Sequence, residues 1–214
     1  MIDRNPTKRG FIAAAAAAGL LATAGRPVSA QAVDLAELNK EGPLGDQVLG
    51  DARAPVTIIE YASLTCGHCA DFHANGYKVL KEKYIDAGKV RFILREFPLD
   101  PLSAAAFMLS RCAGEGKYYP MVDLFFSTQK VWAFSDKPVD ALLATARQAG
   151  FTQESFEACL RDQKVYDGVN AVRLRGAEKF GIDSTPTFFI NGEIQRGSML
   201  PADLEKKLDA LTKK

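Results

Sequence analysis

The sequence predicts an α/β fold in which a β-α-β unit and a β-β-α unit flank a long run of helices. Three observations predict it. Val56-Thr57-Ile58-Ile59-Glu60-Tyr61-Ala62 is β-branched and apolar, as a buried strand requires, and it leads through Cys66-Gly67-His68-Cys69 into a helical pattern. From position 101 to about 181 the spacing is helical, broken by glycine and polar punctuation. Thr187-Phe188-Phe189-Ile190, Asn191-Gly192 and Glu193-Ile194-Gln195-Arg196 then form a hairpin with the favoured two-residue turn.

Taken in order, residues 31–54 are mixed and polar, with a short edge strand expected around Val48-Leu49. The strand over 56–62 follows. Phe72, Val79, Leu80 and Tyr84 fall near helical spacing, so a helix is expected over 68–86, and a second strand over 89–97. Strand, helix and strand within about forty residues imply parallel pairing and a right-handed crossover. Helices are expected over 102–113, 117–130, 136–149, 152–162 and 164–180, with Ser135 as an N-cap and Gly150 as a stop before Thr152. A closing helix over 201–211 starts at Pro201 and lines up Leu204, Leu208 and Leu211. The chain thus divides into 1–30, a leader; 31–98 and 182–214, two parts of one sheet domain; and 99–181, an inserted helical domain.

The leader is read from its order. Arg4, Lys8 and Arg9 make a basic start, residues 11–24 are alanine-rich and apolar, and Val28-Ser29-Ala30 fits a small-residue cleavage site. That is a secretory signal peptide, and Thr7-Lys8-Arg9-Gly10-Phe11-Ile12 resembles a twin-arginine motif with lysine for the first arginine, so either export route stays open. The alternative is a buried N-terminal helix. The full chain has a formal net charge of +1, and removal of the leader leaves 23 basic against 25 acidic residues. Such a balance gives no support to a nucleic-acid partner. Apolar residues make up 47%, enough for a real core. Export also permits disulfides, which makes Cys112 and Cys159 a candidate second pair.

Cys66 and Cys69 sit where a strand ends and a helix begins. A thiol there faces unpaired backbone N–H groups and the positive end of the helix dipole, which favour thiolate. One sulfur can attack while its neighbour three residues on resolves a mixed disulfide. Two other readings exist for the pair. A structural disulfide would close a small, strained ring. A zinc site needs two further ligands, yet Cys112 and Cys159 are far apart in sequence and the histidines are His68 and His73 alone. No metal is expected, and His73 is given a packing role only.

With Glu60-Tyr61-Ala62-Ser63-Leu64-Thr65-Cys66-Gly67-His68-Cys69 and Ser184-Thr185-Pro186-Thr187-Phe188 in view, the sequence resembles the thioredoxin-fold oxidoreductases of the DsbA type, in which a helical domain interrupts the fold. The resemblance covers essentially all of the chain after the leader. It implies a cis proline at Pro186, packed beside the cysteines, and a Cys112–Cys159 disulfide in the insert, as some bacterial relatives have. Two positions depart from the best-known member: Gly-His stands between the cysteines in place of Pro-His, and Thr185 in place of valine. Both tune redox potential and substrate contact in this fold, so the resemblance fixes the chemistry better than its direction.

The expected roles follow. Cys66 is the nucleophile and Cys69 the buried resolving cysteine. His68 donates a hydrogen bond or places positive charge near Cys66. Glu60, on an otherwise apolar strand, is a buried acid of raised pKa that relays a proton to Cys69; the alternative is an edge-facing glutamate paired with a lysine. Thr185 and Pro186 bind an extended substrate strand, the alternative being an ordinary trans turn. Cys112 and Cys159 staple the insert, the alternative being two buried thiols. Phe125, Phe126, Trp132 and Phe134 are expected in the core or lining a groove.

The whole reads as a periplasmic thiol–disulfide oxidoreductase that introduces disulfides into reduced exported proteins. No cofactor is required, because the cysteines carry the electrons. The resemblance implies a membrane quinone-linked reoxidising partner, and a monomer is expected. A disulfide isomerase or reductase of the same fold is the alternative enzyme, and a peptide- or metal-binding module without redox turnover the alternative of another class.

Overall fold

The structure is a computed structural model that describes residues 1–2 and 33–213, so the leader expected over 1–30 lies, but for its first two residues, outside the described residues. Within 33–213 a five-stranded sheet has the order β1-β3-β2-β4-β5. Its strands are β1 (Gln47–Leu49), β2 (Val56–Ala62), β3 (Val90–Glu96), β4 (Thr187–Ile190) and β5 (Glu193–Arg196). Only β2 and β3 run parallel, with Val56 opposite Val90 and Ala62 opposite Glu96; the other three pairings are antiparallel. The β2–β3 pairing is what the helical crossover between them demands. This is the thioredoxin-type arrangement with helices inserted between β3 and β4.

Period-two alternation divides β2 between two cores. Val56, Ile58 and Ala62 join Phe92, Leu94, Phe188 and Ile190 in the larger core, and Glu60 falls in step with that set. Ile59 and Tyr61 face a smaller core with Ile93, Phe97, Phe189, Leu38, Val172 and Phe180. A carboxyl group therefore shares the face against which the cysteine-bearing helix packs. On the opposite face Arg95, 1% exposed, donates to both carboxylate oxygens of Asp46, to Tyr61 Oη and to the carbonyls of Leu38 and Lys40. It ties down the segment before β2, which the sequence reading left largely unstructured. There a short helix, α1 (Leu35–Asn39), is capped by Asp34, and five residues with one buried leucine were too few to show a period.

The helix expected over 68–86 is broken. It comprises α2 (Gly67–Ala74), α3 (Gly76–Leu80) and a wider π-helical turn (Lys81–Ile85). At the break Asn75 leaves helical geometry, and Gly76 lies so close to the Phe72 ring that a Cβ would stand 2.6 Å from it. Glycine is what that approach requires.

The insert comprises α4 (Pro101–Cys112), α5 (Tyr118–Ser127), α6 (Gln129–Trp132), α7 (Pro138–Gln148), α8 (Gln153–Leu160) and α9 (Gln163–Phe180). Thr128 divides the single helix expected over 117–130. Ser135 is not an N-cap: α7 starts two residues later, with Lys137 as N-cap and Pro138 first, and the serine hydroxyl accepts from the Lys137 N–H ahead of the helix. Proline supplies that start by fixing φ where no N–H is needed. Thr152 and Ser155 form a reciprocal cap at α8, with serine in the place usually held by an acid or amide. Phe125, Phe126 and Trp132 are buried, whereas Phe134 is exposed. Cys112 and Cys159 are joined by a disulfide, which links the end of α4 to α8. The hairpin turns at Asn191 and Gly192, both with positive φ, and α10 (Pro201–Thr212) closes the chain.

Candidate active site

The site grows out of the end of β2. The chain leaves the sheet at Ala62, turns through Ser63-Leu64-Thr65 and enters α2 with Cys66 as its N-cap residue, in extended geometry. No side chain caps the first N–H groups of the helix, which leaves them open beside the Cys66 sulfur. Cys66 is half-buried and Cys69 fully buried; both are free thiols. Gly67 and His68 are exposed.

The two thiols are driven apart in acidity. Cys66 is pulled down to about 5, first by a hydrogen bond from the Cys69 thiol, then by Thr185 and by the backbone N–H groups of Cys69 and His68, against the opposing effect of burial. Cys69 is pushed well above its ordinary value by burial, by its donation to Cys66 and by the charge of Glu60. One sulfur is thus poised as nucleophile at neutral pH and the other is kept protonated. His68 acts here through its backbone, its imidazole being exposed.

The loop before β4 faces Cys66 from the other side. Its Thr185–Pro186 bond is cis, and the Thr185 carbonyl accepts from Cys66 Sγ at 3.3 Å. The Thr185 hydroxyl is buried and has no hydrogen-bond partner in the structure, so its proton is free for the Cys66 sulfur once that is a thiolate. Gly197 N–H donates to the Pro186 carbonyl at 2.9 Å and holds the loop to the end of the hairpin.

Glu60 lies beneath the pair, 2% exposed, and opposite Leu94 and Phe188 in the sheet. Burial, and then the negative charge of Cys66, push its carboxyl up to about 8. A carboxylic acid that holds its proton at pH 7 beside a thiol of raised pKa can pass that proton when the thiolate forms.

Several polar groups around the turn were not found from sequence. Ser103 Oγ receives the Leu64 N–H at 3.0 Å and lies 2.9 Å from Ser63 Oγ, while Asp100 caps α4 and accepts from Thr65. Gln129 Nε2 donates to the carbonyls of Leu64 and Cys66. No local pattern points from Ser103 or Gln129 to a turn tens of residues upstream. His73 stacks on Tyr77 at 4.4 Å and pairs with Asp123 at 2.8 Å. Among the described residues no group of three or more metal-ligating side chains converges.

The thioredoxin family model matches residues 44–210. The solved structure of α-DsbA1 from Wolbachia pipientis is 34% identical, with a TM-score of 0.76 over 82% of this chain and 94% of that one. A Rickettsia bellii protein provisionally named a protein-disulfide oxidoreductase is 34% identical over 69% of this chain. The chain spans 57% of that relative's length. A structure described as a protein-disulfide isomerase, from Novosphingobium aromaticivorans, has a TM-score of 0.70 at 19% identity, covers 79% of this chain and 98% of that one, and shares the fold alone. The chain belongs to the thioredoxin family and, within it, to the DsbA type.

Proposed function

We propose that this protein is a thiol–disulfide oxidoreductase that donates the Cys66–Cys69 disulfide to reduced exported proteins in the periplasm. The observation that carries this reading is the asymmetry of the pair: an accessible, acidic Cys66 at a helix N-terminus above a buried Cys69 of raised pKa. The name of the Rickettsia relative supports the same class of chemistry.

In the proposed reaction a substrate thiolate attacks Cys66 Sγ of the oxidised pair. The Cys66–Cys69 bond breaks, Cys69 leaves as a thiolate and takes the proton of Glu60, and a mixed disulfide joins substrate to Cys66. A second substrate thiolate then attacks the substrate sulfur of that bond and releases Cys66 as a thiolate. Two electrons have passed from the substrate dithiol to the pair. The stabilised Cys66 thiolate makes this direction favourable, because it lowers the free energy of the reduced enzyme. Thr185 and Pro186 would hold the substrate as an added strand beside Cys66. The cycle closes when an oxidant removes the electrons, for which a membrane quinone-linked partner is the proposal; a monomer suffices for every step.

The test is the reduction potential of Cys66–Cys69, equilibrated against glutathione. A donor should lie near about −120 mV, the value of a strongly oxidising pair, whereas a potential near about −270 mV would reverse the assignment to a reductase.

A further inference from the structure

The turn that carries Cys66 is held mainly by the helical insert, and the two contacts are of different kinds. Ser63 and the Leu64 N–H are bound by Ser103 at the start of α4, and Thr65 by Asp100. From the other side one side chain, Gln129 at the start of α6, donates to the Leu64 carbonyl at 2.8 Å and to the Cys66 carbonyl at 3.0 Å. Gln129 is 4% exposed, so neither carbonyl has ready access to water in exchange.

The Cys66 carbonyl also accepts the first hydrogen bond of α2, from Ala70 N–H at 3.1 Å. Its direction fixes ψ at Cys66, which stands at 120°. That torsion, together with the side-chain χ1, sets where the sulfur lies relative to the His68 and Cys69 N–H groups that lower its pKa. We infer that Gln129 is a positioning residue for the nucleophile: it fixes the Cys66 carbonyl and thereby aims the backbone N–H groups of the first turn of α2 at the Cys66 sulfur. The inference rests on the assignment of Cys66 as the attacking thiol. It gives the insert a part in the redox chemistry besides its part in the fold. Gln129 touches no reacting atom and acts through the peptide group of Cys66.

The test compares Gln129→Met, which keeps the volume and removes the donor, with Ser103→Ala, which loosens the same turn without touching the Cys66 carbonyl. The readout is thiolate absorbance of the reduced, full-length protein against pH, with Glu60 and Cys69 unchanged throughout. Gln129→Met is expected to raise the thiol pKa of Cys66 by about half a unit to one unit, the worth of one net hydrogen bond. The reduction potential should fall by about 15–30 mV, the same change for a two-electron couple. Ser103→Ala should lower the melting temperature and leave the thiol in place. A folded Gln129→Met with an unmoved thiol pKa overturns the inference, as does an equal shift in Ser103→Ala. Should Gln129→Met not fold, Gln129→Asn decides: its shorter, neutral amide keeps a donor but no longer reaches both carbonyls, so a smaller rise supports the inference and no rise sinks it. An ordinary thiol pKa in the parent protein would instead count against Cys66 as nucleophile, and the comparison among variants would still read the effect of Gln129.

Discussion

The molecule holds two pairs of cysteines, and the contrast between them separates what a disulfide does from where it is placed. Cys66 and Cys69 are three residues apart at the start of a helix, one half-buried and one buried, with hydrogen-bond donors, a cis-proline loop and a carboxylic acid around them. Cys112 and Cys159 are 47 residues apart and join two helices of the insert, with Cys159 buried and none of these groups at hand. The chemistry of both pairs is sulfur on sulfur. Only the first has a thiolate worth forming, because stabilising donors and a proton source are built around it.

The sharpest way to break this comparison is to exchange the pairs' fates. Cys66→Ala should abolish thiol–disulfide exchange with a reduced peptide, while the double substitution Cys112→Ala, Cys159→Ala should retain it. Exchange that survives without Cys66 would mean the second pair is the active one. The double variant should instead lose about 3–4 kcal/mol of unfolding free energy, the entropy a loop of that length returns to the unfolded chain, measured by urea titration with Cys66–Cys69 reduced in both proteins.

Next in size is the acid beneath the pair. Glu60 binds its proton more tightly folded, near 8, than unfolded, so stability is full below the unfolded carboxyl range and is lost as pH rises toward 8. Glu60→Gln should therefore match the parent at pH 4 and be more stable at pH 8, yet form the mixed disulfide more slowly, with the pH dependence of that step flattened. An unchanged pH profile of mixed-disulfide formation would remove Glu60 from the proton path. Cys66 behaves with the opposite sign: its lowered pKa adds stability to the reduced protein above the folded value of about 5, growing until the unfolded thiol also ionises near 9. Denaturation of reduced Glu60→Gln at pH 4 and pH 8, with the opposing contribution of the acid removed, reads this, and a further Cys66→Ser should erase it. The smallest effect is expected from Thr185→Val, which deletes one donor to the thiolate and should raise the Cys66 pKa by about half a unit.

Much of this was legible in advance because it is local. Strand β2 and the hairpin bounds could be read from β-branched runs and Asn191-Gly192, and the burial of Glu60 follows from its neighbours in an apolar strand. What sequence alone missed is what depends on distant partners. The break at Asn75 answers to a ring packed under Gly76, and the buried Arg95–Asp46 pair joins residues 49 apart. Gln129 is an ordinary polar residue between Thr128 and Lys130 until the fold sets it against Cys66. His68 adds a contribution that its identity does not announce: its peptide N–H helps to hold the Cys66 pKa down, as that of any residue but proline could at that position.

Gly67 stands between the two cysteines, and apart from its chain neighbours and its own helical turn no atom lies within 4 Å of where a Cβ would sit. It lacks the positive φ that would reserve the position for glycine. A new side chain there would project into solvent beside the sulfurs and displace nothing in the core. Natural variation can therefore rewrite the electrical and steric surroundings of the pair at this one position and leave the rest of the chain unchanged, so descendants of a single scaffold can divide oxidising and reducing duties between them.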